Sequence, residues 1–326
     1  MDATACTVRP RRRRIRRLLG FLRASSLNLI GGAIIGVAGL VAVLGLVSSL
    51  TGVQVTPYDP LAPDLVDRLQ PPSPSHLMGT DQLGRDLFSR VFMGTHIAFE
   101  VALIVLVVAL VIGSVVGLAA GFAGGLVDEI LMRVTDLFLA FPALVLAAAI
   151  TFTIGASLQT TMVALAVVSW PWYARIARGQ VLTLREREFL IAARTMGAGR
   201  ARLMFKTLLP NVAPILLVQA TLDVGYVMLS TAGLSFLGLG AQPPTPEWGS
   251  MILTSLPYQP DAWWYAAFPG LALAVTAMGF NLIGDGLRDW LDPLMRESAW
   301  MSREPVPEPA ELEGSADLGP VGTPAG

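Results

Sequence analysis

EFLIAARTMGAGRARLMFKTLLPN, residues 188–211, is a polar island in an oily chain. It carries Glu188, Arg194, Arg200, Arg202 and Lys206 among small residues and two close glycines, Gly197 and Gly199. Residues 185–195 place Phe189, Ala193 and Met196 at helical spacing, which predicts an apolar stripe on a charged helix. The MGAG step at 196–199 breaks that helix: Gly197 and Gly199 reach backbone angles closed to other residues, and Gly199 suits the start of the next helix. Helical character resumes over 200–208. Pro210 ends that element or opens the next, with Asn211 as a cap. The expectation is a helix–turn–helix on the cytoplasmic face. Ala193, Gly197 and Ala201 recur every fourth residue, and small side chains let a neighbouring backbone come close. A protein partner oriented by the arginines is one reading. An amphipathic connector resting on headgroups is the other.

Composition sets the environment. The chain has 326 residues, of which 53% are hydrophobic and 14% charged, with a mean hydropathy of +0.60. Soluble domains carry about a quarter charged residues, so the deficit points to a membrane protein. Runs long enough for a helix to cross hydrocarbon lie at roughly 28–50, 97–121, 137–155, 160–178, 212–238 and 266–290. They predict an all-α polytopic protein with six transmembrane helices. Cys6 is the one cysteine, which excludes an intrachain disulfide and a cysteine-based metal cluster. His76 and His96 lie twenty residues apart, form no ligand pattern and read as surface residues.

The arginines set orientation. Eight stand between Arg9 and Arg23. If that end is cytoplasmic, the cytoplasmic segments hold 8, 1 (Arg133), 8 (residues 175–206) and 3 (after 287) basic residues, which makes 20 of 23. Such asymmetry is the positive-inside pattern, and it places both termini in the cytoplasm. Beside a membrane span, the basic cluster reads as a topology signal rather than a nucleic-acid or lipid site. Trp263, Trp264 and Tyr265 then mark the outer interface and Trp290 the inner one.

The organisation expected is a basic cytoplasmic segment (1–27), a first span with a long outer loop (28–96), a transmembrane core (97–294) containing the hairpin 185–210, and a disordered cytoplasmic tail (295–326). In the outer loop, Leu83, Leu87 and Val91 at helical spacing predict an amphipathic helix lying on the outer face before the second span.

Residues 188–211 resemble the EAA loop of ABC importer permeases, the hairpin that docks into a cleft on the ATPase subunit. Ala192 and Ala193, three residues, Gly197 and then LLPN at 208–211 match that pattern; Ile191 replaces its glutamate and Thr207 a frequent histidine. HLMGTDQLGRDLFSRVFMGTHIAFEVAL (76–103), STAGLSFLGLGAQPPTPEWGSMI (230–252) and NLIGDGLRDWLDP (281–293) are similar to signatures of the dipeptide/oligopeptide/nickel importers, C-type subunit. The resemblance covers about 76–293. It implies a type I (MetI-like) permease core and a coupling hairpin of Glu188, Ala192, Ala193, Gly197, Gly199, Ala201, Leu209 and Pro210. The partners it implies are a homologous B-type permease, two ATPase subunits that bind ATP and Mg, an extracytoplasmic solute-binding protein and membrane lipid. No cofactor is implied for this chain.

Other candidates stand outside the hairpin. Asp223 lies mid-span, where a charge costs about 2.5–3.5 kcal/mol on insertion scales. It either lines a translocation pathway or ties helices together. Glu100 reads as a snorkelling residue at the outer edge of the second span. Arg133 and Asp136 either pair or face the cytoplasm. Asp285, Arg288 and Asp289 close the last span, by local capping or by contact with an ATPase-facing surface. Asp81, Arg85 and Asp86 read as a hydrogen-bonded turn rather than a metal site. No phosphate-binding G-x-x-x-x-G-K-[ST] loop occurs, and Lys206 is the sole lysine, so no nucleotide site or enzyme activity is expected of this chain. The function expected is di- or oligopeptide uptake through an ATP-driven complex. The alternatives are nickel or another small solute, an ion-coupled secondary transporter using Asp223, and a non-transporting scaffold.

Overall fold

Local chemistry starts and stops the helices. A computed structural model describes residues 25–291. The N-terminal arginines, the Trp290 side chain and the tail 295–326 lie outside the described part, as do the expectations resting on them. Ser25 accepts from the Leu27 amide and opens α1 (Ser26–Thr51), which Gly52 closes in a left-handed conformation. Asp86 accepts from the Ser89 amide and opens α2 (Leu87–Ala123). α3 (Gly125–Leu139) and α4 (Ala143–Ile154) are split at Pro142. A capping box of Ser157 and Thr160 opens α5 (Leu158–Leu184). α6 (Glu188–Thr195) is followed by α7 (Arg200–Phe236), a continuous helix with a π-helical segment at Leu203–Leu208. α8 (Trp248–Ser255) and α9 (Trp263–Leu291) complete the order. Residues 25–287 belong to one compact unit.

Among the described residues, four helices are long and apolar enough to cross a membrane: α1, α2, α7 and Trp263–Asp289 of α9. α3 and α4 meet at 85° and together make a fifth candidate. The run expected at 137–155 is therefore not one straight helix. Pro142 has no N–H to continue the ladder, and α4 alone, at 12 residues, spans about 18 Å. α5 is long enough, at 27 residues, but Gln159, Trp170, Trp172, Arg175 and Arg178 dilute its hydropathy. Length and composition thus give four spans, or five with the bent pair, where six were expected.

α2 and α5 form the central pair. Gly113, Gly117 and Gly121 face Tyr173, Ala174, Ala177 and Val181, so the two backbones come close. α7 and α8 pack alongside, and Trp248 is buried with its Nε1 donating to the Val91 carbonyl at 3.1 Å.

Residues 52–86 fold into a cap over one end of this bundle. The separate amphipathic helix expected there does not form. Leu83 sits in a turn, and the helix that begins at Leu87 runs unbroken into the apolar segment for 37 residues. Leu87 and Val91 are buried by protein. The Asp81 turn does form: the Asp81 carboxylate, 0% exposed, accepts from the amides of Leu83 and Arg85 and pairs with the Arg85 guanidinium at 2.7 Å. His76 is buried rather than on the surface, with its Nδ1 3.0 Å from Asp86. Trp264 and Tyr265 are likewise buried against the cap, and only Trp263 of the expected interfacial trio is exposed. A second loop packs beside the cap, and burial pushes the Glu247 carboxyl there above the ordinary carboxylate range, opposed by the Gly249 and Ser250 amides.

Asp86 serves three donors: the Ser89 amide, the Ser89 hydroxyl and His76. Asp86→Ala leaves them without an acceptor in a buried site. The expected loss is about 2 kcal/mol of stability, seen as an earlier thermal unfolding transition of the purified protein.

Candidate functional site

The hairpin lies at the end of the bundle opposite the cap, beside the last turn of α2, where Arg194 rests over the Phe122 ring, 5.4 Å from its centroid. Its turn is built by backbone geometry. Gly197 has φ +80°, in the left-handed region. The Ala198 amide donates to the Ala193 carbonyl at 3.1 Å and the Gly197 amide to Arg194 at 2.9 Å. That pair of bonds is the Schellman closure of a helix, which favours glycine at this position. Gly199 is extended and opens α7.

The second arm of the hairpin does not end at Pro210. It continues into the apolar part of α7 through the π-helical segment. Proline lacks an N–H and its ring crowds the carbonyl four residues back. A wider turn just before it relieves that conflict without breaking the helix. Asn211 then serves the Thr207 carbonyl with its side-chain amide at 2.6 Å.

The hairpin has two faces. Leu190, Leu203 and Leu208 are buried and fix it to the bundle. The stripe expected from Phe189, Ala193 and Met196 is not that anchor: Phe189 is 45% exposed and Met196 81%, and Ala193 alone packs inward. A short helix has room to bury only one or two positions, and Leu190 takes the inner one. Glu188, Ala192, Gly197, Gly199 and Ala201 are all exposed on the outer face, alongside Ile191 and Phe205. Leu209 and Pro210 sit at the root. An exposed apolar surface with a polar rim is the usual mark of an interaction site.

Asp223 lies 13 residues beyond Pro210 on the same helix, about 20 Å along it. Tyr173 Oη on α5 donates to its Oδ2 at 2.6 Å, and Gln219 Nε2 donates to its Oδ1 at 2.9 Å. Asp223 therefore ties α5 to α7, and it also lines a cavity of about 300 Å³ with Trp172, Tyr226 and Ser169. Gln219 stands four residues from Asp223, a spacing readable in sequence. Tyr173 lies 50 residues away and carries no such signal.

At the hairpin end, Arg178 makes two bonds to Asp128, at 2.5 and 2.7 Å, and Arg175 pairs with Asp136 at 2.5 Å. Asp136 thus pairs across to α5 and not with Arg133. Asp285 is exposed near the end of α9.

Residues 113–297 match the family model described as "Binding-protein-dependent transport system inner membrane component". The chain belongs to this family. Curated relatives support the membership. The permease is 44% identical over 277 residues to the probable D,D-dipeptide transport system permease protein DdpC of Escherichia coli (strain K12), covering 85% of this chain and 91% of the relative. It is 45% identical over 258 residues to the nickel transport system permease protein NikC of the same strain, covering 78% and 91%. It is 44% identical over 272 residues to the dipeptide transport system permease protein DppC, again of that strain, covering 82% and 90%. Among solved structures, a chain of the inward-facing MetNI methionine ABC transporter aligns with TM-score 0.51 at 20% identity, covering 62% of this chain and 97% of that one. That likeness bears on the fold, a MetI-like all-helical permease. The permease is thus a multi-pass inner-membrane component of an ABC importer, and membership implies ATPase and binding-protein partners.

Proposed function

We propose that this permease is the C-type subunit of an importer for di- and oligopeptides, with six spans, α5 among them, and both termini in the cytoplasm. It pairs with a homologous B-type permease and lipid, above two ATPase subunits that bind ATP and Mg, and receives cargo from an extracytoplasmic binding protein. The hairpin of Glu188, Ala192, Ala193, Gly197, Gly199, Ala201, Leu209 and Pro210 docks on an ATPase. One observation carries the coupling: the second arm of the hairpin and Asp223 share one unbroken helix, Arg200–Phe236. When ATP closes the ATPase dimer, a shift of the hairpin moves that helix as a rod and reshapes the cavity at Asp223.

Relatives named for dipeptides and for nickel stand at nearly equal identity, so the cargo is argued from the cavity. Its polar groups are one carboxylate, hydroxyls and an amide between aromatic walls. They suit the ammonium group of a peptide N-terminus. Nickel suits imidazole ligands, and the described residues hold no group of three His, Cys, Asp or Glu able to bind a metal.

The test is uptake by the complete complex in proteoliposomes. Labelled dipeptide should accumulate with ATP and be indifferent to a collapsed proton gradient. Asp223→Asn should cut uptake roughly tenfold, since a hydrogen bond to a charged group is worth about 1.5–3 kcal/mol. Uptake of nickel in place of dipeptide, dependence on the proton gradient, or full activity of the variant would each overturn the reading.

A further inference from the structure

α2 starts at Leu87, so Glu100 lies nearly four turns into the helix. Its neighbour one turn earlier, His96, meets α1 at Gly45, where an added Cβ would stand 3.2 Å from the His96 Cβ. Gly45 is six residues short of the end of α1, and Glu100 is a further turn inward. Glu100 therefore lies roughly 15 Å below that helix end. α1, at 26 residues, is about 39 Å long against a hydrocarbon core of about 30 Å, which puts the carboxylate on the order of 10 Å inside the apolar layer.

At that depth it faces an open groove of about 760 Å³ between α1, α2 and α7. Val43, Leu46, Leu103, Val107, Leu217 and Val224 line it. Among the described residues no side chain hydrogen-bonds to or pairs with Glu100. His96 does not reach it either: its Nδ1 donates to the Met93 carbonyl at 2.8 Å. The groove is thus apolar, and the Thr221 hydroxyl on its wall is spent on the Leu217 carbonyl, so none of the described residues meets the Glu100 carboxylate. Acyl chains carry no donor, and lipid headgroups stay at the surface. Ionisable groups inside membranes face a partner that satisfies them.

We infer that this groove receives a transmembrane helix of the homologous second permease, and that a cationic side chain on that helix pairs with Glu100. The inference rests on the proposed pairing of two permeases and adds the surface and the residue that make it. A helix without a cation would leave the carboxylate in hydrocarbon, so Glu100 also selects the partner against a second copy of this chain.

The experiment uses the full complex in native membranes, with Cys6→Ser as background. Leu103→Cys or Val107→Cys, labelled with a maleimide that carries a benzophenone and then irradiated, should cross-link to the second permease through a C–H bond of the helix in the groove. Glu100→Lys should lower both that cross-link and co-purified second permease at least tenfold, with Glu100→Gln falling between. Because Glu100 is exposed in the isolated subunit, the amount of inserted chain should not change. Three results would overturn the inference: labelling of the groove cysteines by a lipid-phase maleimide as readily in the complex as in the lone subunit, cross-linking to another copy of this chain, or full assembly of Glu100→Lys. Cross-linking needs no cargo, so failure of peptide uptake leaves the inference standing, and uptake through a lipid-filled groove sinks it alone.

Discussion

Gly197→Trp should bring ATP-driven uptake to background while the chain inserts and the permeases assemble as before. A side chain at φ +80° costs about 1–2 kcal/mol, because the Cβ meets the following carbonyl. That strain is local and modest. An added Cβ at Gly197 meets nothing within 4 Å, so the indole has no clash inside the subunit. It projects instead from the exposed face that carries Ala192, Gly199, Ala201 and Met196. In the proposed docking an ATPase approaches that face closely, and a large rigid ring would hold it off. Gly197→Asn separates the two effects. Asparagine tolerates the left-handed conformation and is small, so it should retain most of the uptake. The measurements are stimulated ATPase activity and uptake in proteoliposomes, with assembly followed by size-exclusion chromatography. Normal uptake by the Trp variant would remove the hairpin from the coupling pathway.

The hairpin was legible in sequence because its determinants are local. A glycine at a helix end, a second glycine two residues on and a proline before an apolar run act through backbone conformation alone, and the turn formed where they stood. The face of α6 was not legible. Phe189, Leu190 and Met196 are all apolar, and which one is buried depends on where the end of α2 lies, a contact from 70 residues away. The cap misled for the same reason. Leu83, Leu87 and Val91 fit a surface helix by periodicity, but Asp81 and Arg85 satisfy each other, Asp86 is satisfied by Ser89 and His76, and all three are buried, so the polar face needed no water. His76 and Trp264 followed them inward. Of the six spans expected, four stand by length and composition; another is bent at Pro142 and another carries arginines, and both features weaken the hydropathy by which spans are recognised. At the candidate site, Asp223 stood out as a charge in an apolar run. Tyr173 did not, because its role comes from the crossing of α5 on α7.

That crossing depends on α2 and α5 staying close, and the second large effect is expected there. Gly117→Leu should leave little folded permease to purify. A Cβ at Gly117 would overlap the Ala174 carbonyl oxygen and come within 2.6 Å of the Ala177 Cβ and 3.0 Å of the Arg178 amide nitrogen. Two of these three atoms are backbone and the third is a Cβ, so no rotamer change relieves the overlap; the helices have to part. Gly113 and Gly121, one turn to either side, are packed against Tyr173 and Val181, so the separation spreads along the seam. In lipid there is no hydrophobic penalty to hold parted helices together, and van der Waals packing is what is lost. Tyr173 would be drawn off Asp223 and Arg178 off Asp128 in the same movement. The expected cost is about 3 kcal/mol or more, at the upper end for overpacked cores. Fluorescence-detected size-exclusion chromatography should show the monodisperse peak lost for Gly117→Leu and kept for Gly36→Leu, since a Cβ at Gly36 meets nothing within 4 Å. Identical elution of the two variants would mean that the α2–α5 seam tolerates separation, and the geometry at Asp223 would then need another support.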